Sequence, residues 1–71
     1  MPLPAAELLA LNLKRLRDER GLSTEDVVRL TGISLIRLEA IEAAATQAHL
    51  DEVGLLALAL GVRLATLFAA E

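Results

Sequence analysis

Ser23-Thr24-Glu25-Asp26-Val27-Val28-Arg29-Leu30-Thr31-Gly32-Ile33-Ser34-Leu35-Ile36-Arg37-Leu38 holds two helix starts and one stop in close succession. Ser23 reads as an N-cap, followed by two acids in a first turn where the helix dipole favours negative charge. A short helix is expected from Thr24 to about Leu30, burying Val27 and Leu30. Thr31-Gly32-Ile33-Ser34 then reads as a tight turn. Gly32 admits positive φ, Ile33 plugs the corner, and Ser34 caps the next helix. That helix runs from Leu35 to about Ala43 with Leu38 and Ile41 inward. Its end is poorly marked, because Ala43-Ala44-Ala45 favours helix and no glycine interrupts it.

Upstream, a helix follows Pro4 and reaches about Arg20, with Leu9, Leu13 and Leu16 on one face and Gly21 as its stop. Downstream, a fourth helix spans Leu50 to Leu60 and ends at Gly61. Its core face carries Val53, Leu56, Ala57, Leu60 and Leu50, while Leu55 and Leu58 lie roughly 150° from that face's centre. Those two leucines either pack under neighbouring segments (the fifth helix, or the arm holding Leu3, Leu8 and Leu11) or form a homodimer or partner surface. A short fifth helix is expected over about Leu64 to Ala70. Helix, glycine-containing turn, helix is the pattern of a helix-turn-helix, whose second helix normally enters the DNA major groove.

The composition agrees with an all-α domain. Of 71 residues 55% are hydrophobic, with one Phe and no Trp or Tyr, so the core must be aliphatic. Without cysteine there is neither a disulfide nor a thiolate metal site, and a reducing cytoplasm is the expected compartment. The start of the chain lacks the features of a signal peptide, and no apolar run approaches the ~20 residues that span a bilayer. No membrane partner or small-molecule substrate is expected. The net charge is −3: six basic and five acidic residues up to Arg37, then one and five from Leu38 onward. Such a surface matches a polyanion poorly, since phosphate contacts need positive groups. His49 is the single histidine and has no clustered acid or cysteine beside it, so a cap of the fourth helix is its expected role. No nucleophile–base set, phosphate loop or carboxylate pair appears, and neither catalysis, metal nor cofactor is expected.

The segments LNLKRLRDERGLST (11–24), VVRLTGISLIRLEAIE (27–42) and LLALALGVRLATLF (55–68) resemble the XRE/Cro/phage-repressor family in order and spacing. The resemblance covers residues 9–68 of one domain spanning 1–71, with 1–8 forming an arm and the start of helix 1. It implies a five-helix, lambda-repressor-like fold. It also implies that Arg17 and Glu42 form a partly buried ion pair tying helix 1 to helix 3. By the same resemblance, DNA-contact positions fall on Thr24, Leu35, Ile36, Arg37 and Ala40.

At those positions the chemistry departs from a DNA reader. Base edges need hydrogen-bonding side chains, yet the third helix opens with Leu35 and Ile36, then carries Glu39 and Ala40. Only Arg37 has the fork to read guanine. Burying base edges against leucine and isoleucine leaves polar groups unpaired at ~1–3 kcal/mol each. The bland alternative is that Leu35 and Ile36 simply cover the edge of helix 2. A contiguous apolar surface more often marks a protein partner. The expected function is therefore a small transcriptional regulator acting by protein contact, for example an antiactivator holding a transcription activator. Its contact surface comprises Leu35, Ile36, Arg37, Glu39, Ala40, Leu55 and Leu58. The rival is a conventional dimeric repressor binding double-stranded DNA, and a purely structural dimerisation module is a third reading.

Overall fold

The computed structural model describes residues 3–70. Four α-helices, α1 (Ala5–Glu19), α2 (Thr24–Thr31), α3 (Leu35–Glu42) and α4 (Leu50–Leu60), precede a 3-10 turn at Leu64–Phe68. Among the described residues there is no strand. The architecture is the all-helical, helix-turn-helix arrangement implied by the sequence, with one change at its end. The expected fifth α-helix is a single 3-10 turn that stops at Phe68. Asn12 explains the early stop. Its buried side-chain amide donates to the carbonyls of Leu67 (2.9 Å) and Ala69 (3.0 Å), binding this segment laterally to α1. Leu67 is thereby held fully buried.

The helix starts follow their caps. Ser23 Oγ accepts from Asp26 N–H at 3.0 Å while Asp26 accepts from Ser23 N–H at 2.9 Å, a reciprocal capping box. Ser34 Oγ accepts from Arg37 N–H at 3.2 Å and starts α3. His49 stands at the N-cap of α4, where its backbone N–H donates to Glu52 at 2.7 Å. The turn between α2 and α3 is closed by Thr31, whose hydroxyl donates to Val27 O and accepts from Ile33 N–H.

Helix ends reuse one device. Gly21, Gly32 and Gly61 take positive φ after α1, α2 and α4, and Ala44 does the same after α3 at φ 56°. At that last end Ala45 N–H bonds Ala40 O at 2.9 Å and Ala44 N–H bonds Ile41 O at 3.1 Å. This paired reversal, the Schellman motif, terminates the alanine run where the sequence shows no stop.

The core joins Leu9, Leu13 and Leu16 of α1 to Val27, Ile33, Leu38, Ile41, Val53, Leu56, Ala57, Leu60 and Leu67. Two expected core residues lie outside it. Leu30 is 58% exposed, because the packed face of α2 runs through Val27, Thr31 and half-buried Val28 and leaves Leu30 to one side. Leu50 is 76% exposed. It is the first residue of α4, and helical side chains lean toward the N-terminus, which carries this one past the end of the core.

Candidate recognition surface

The outward face of α3 is built by elimination. Leu38 and Ile41 point into the core, so Ile36, Glu39, Ala40 and Ala43 share the opposite side of the helix. Ile36 is 82% exposed, Leu35 is 36% exposed, Glu39 and Ala43 are exposed, and Ala40 is half-buried. Thr24, at the start of α2, is half-buried and its hydroxyl donates to Glu25 at 3.2 Å. Across this surface the exposed α3 side chains are apolar except for one carboxylate.

Arg37 does not stand on that face as a free reader. Its Nε and Nη2 donate to the two oxygens of Glu52, each at 2.9 Å. The same guanidinium reaches Thr46 Oγ1 at 3.1 Å and Gln47 O at 2.9 Å. All three of its nitrogens are therefore engaged in fastening α3 to the start of α4. The Arg37 hydrogen bonds, helped by the His49 backbone N–H and opposed by burial, hold the Glu52 carboxyl down at about 2. The same pairing raises the Arg37 pKa above its ordinary value. A bidentate arginine–carboxylate pair of this kind is geometrically specific.

A second arginine fork joins α1 to α3. Arg17 Nε and Nη2 donate to Glu42 at 2.9 and 3.2 Å, and Nη1 donates to Leu22 O at 3.1 Å. Glu42 is one of the few buried charged residues, with 9% exposure. Most remaining cations are also internally engaged. Arg20 donates to Leu60 O at 2.6 Å, where it caps the end of α4. Arg29 pairs with Asp26, and Arg15 pairs with Asn12 and Glu19. Lys14 and Arg63 make no printed side-chain pairing among the described residues and are exposed.

Leu55 and Leu58 sit on the far side of α4, 41% and 80% exposed, remote in sequence and in helix face from the start of α3. The candidate residues thus divide into two surfaces, one on α3 and one on α4. Asn12, Glu52 and Thr46 were not legible as tertiary partners. Glu52 did carry a signal, an acid three residues after a cap position, but nothing local points from it to Arg37. No helix among the described residues is long and apolar enough to cross a membrane.

The helix-turn-helix domain family matches residues 8–69. A solved structure, a hypothetical transcription factor (NHTF) from Neisseria, superposes with a TM-score of 0.88 at 27% identity. The match covers 93% of this chain and 76% of that one. No curated protein matches. With the fold, the turn at Gly32 and a family match across nearly the whole length, the chain belongs to the helix-turn-helix domain family.

Proposed function

We propose that the chain is a transcriptional regulator whose recognition helix contacts a protein rather than DNA bases. The family and the transcription-factor neighbour support the regulatory setting. The observation that carries the mode of action is the locking of Arg37 onto Glu52, Thr46 and Gln47. Without that fork, the outward face of α3 offers Ile36, Ala40 and Ala43 around the single acceptor Glu39. Such a face cannot satisfy the donor and acceptor pattern of a major groove, and Glu39 repels phosphate. It suits an apolar socket with a basic rim, as on a protein partner such as a transcription activator held inactive. The role is that of a binding module, with no chemical step assigned to any residue.

The test compares the wild type with Ile36→Ser and Glu39→Lys in capture from the native cytosol. A component of the transcription apparatus retained by the wild type and lost by both variants supports the reading. Retention by all three overturns it.

The second reading, a dimeric repressor on double-stranded DNA, is favoured by the fold, which presents α3 as such proteins do. It requires Arg37 to leave Glu52, exchanging a bidentate pair and two further hydrogen bonds for contacts to guanine. Glu52→Gln would loosen that pairing. On this reading the variant binds operator DNA more tightly than the wild type, and on the protein-contact reading neither binds DNA sequence-specifically.

A further inference from the structure

Gly54 lies inside α4, where glycine weakens a helix relative to alanine. Nothing in the chain requires it: a Cβ built there meets no atom within 4 Å, and its φ is not positive. It shares the side of α4 opposite Val53, Leu56 and Leu60 with Asp51, Leu55 and Leu58, and of these Leu58 is 80% exposed. A protruding leucine one helical turn from an empty glycine position forms a knob and a hole on one face. A two-fold axis crossing α4 between Leu56 and Ala57 makes that face self-complementary, since an isologous contact pairs each residue with its counterpart reciprocally.

We infer that α4 is a homodimer face on which two copies pack antiparallel, Leu58 of each seated over Gly54 of the other. The charges fit the same register. The axis brings Asp51, in the first turn of one α4, beside Arg63, just past the end of the other. Arg63 is exposed and makes no pairing within the chain. The side chain of Asp51 only accepts the neighbouring Glu52 N–H at 3.1 Å. Antiparallel helices also set opposite dipole ends together. The missing Cβ lets the two backbones approach more closely than the usual 8–10 Å between helix axes. This inference is independent of whether α3 contacts protein or DNA, since it concerns the other surface.

Sedimentation equilibrium from about 5 µM to about 1 mM reads the association directly, because a homodimer is populated by mass action. The wild type should pass from monomer to dimer within that range. Gly54→Ala should raise the melting temperature at the dilute end by several degrees, as a helix former replacing glycine does, while weakening dimerisation at least tenfold. Leu58→Ser should remain monomeric throughout with unchanged melting at the dilute end. Asp51→Arg should weaken the dimer, and adding Arg63→Asp should restore it. A wild type that stays monomeric at the highest concentration overturns the inference. So does a Gly54→Ala variant that dimerises as well as the wild type.

Discussion

Ile36 and Leu35 are neighbours with different standing. Ile36 is 82% exposed, so Ile36→Ser should change stability by no more than about 0.5 kcal/mol. Leu35 keeps about a third of its surface in water, and Leu35→Ser should cost about 1 kcal/mol in the same chemical denaturation experiment. If both lose partner binding equally, the surface reading holds; if loss tracks stability alone, the two are packing residues. Ala44 carries a different signal. A left-handed alanine costs roughly 1–2 kcal/mol against glycine, partly offset by glycine's greater freedom when unfolded. Ala44→Gly should therefore stabilise the chain by about 0.5–1 kcal/mol, read as a higher melting temperature. An unchanged or lower value would show that the methyl group, which lines the groove between α1 and α3, contributes more than the strain removes.

At the scale of elements, two arginine forks set α3 in place. Arg17 and Glu42 fasten it to α1, and a double-mutant cycle (Arg17→Met, Glu42→Gln and both) should be non-additive by about 1–3 kcal/mol. Additive losses would mean that each charge is satisfied independently. Arg37 and Glu52 fasten α3 to α4, and this fork is readable by pH. The folded-state pKa of Glu52 lies near 2, below its ordinary 4.5, so the unfolded chain binds the extra proton first. Its contribution is complete above about pH 4.5 and is lost as pH falls toward 2, with a slope of at most about 1.4 kcal/mol per pH unit. Glu52→Gln should flatten that acid limb, and an unchanged slope would show that other carboxyls produce it. Helix positions were largely legible because caps and glycines mark them: Ser23, Ser34, Gly21 and Gly61 act as read. The end of α3 was not, since its stop is an alanine forced left-handed by tertiary packing. The 3-10 turn was also hidden, since its form depends on Asn12, distant in sequence.

For the whole molecule, the sequence exposed the contrast between a DNA-reading fold and a surface poor in donors. It did not expose the reason that Arg37 fails to repair that contrast. A lone arginine on a recognition helix reads as available until its partner, fifteen residues away, is placed beside it. The same holds for charge. Arg15, Arg17, Arg20, Arg29 and Arg37 all act within the fold, so few cations remain to neutralise phosphate on a chain of net charge −3. Fewer phosphate contacts mean weak binding that fades steeply with salt.

Selection of duplexes from a fully randomised pool at about 0.15 M salt, with affinities of the survivors read by fluorescence anisotropy, addresses that directly. The account predicts that no motif is enriched and that every duplex binds with a Kd weaker than about 1 µM, as non-specific binding does. An enriched palindrome bound at nanomolar Kd would contradict it, and would place Arg37 on guanine rather than on Glu52.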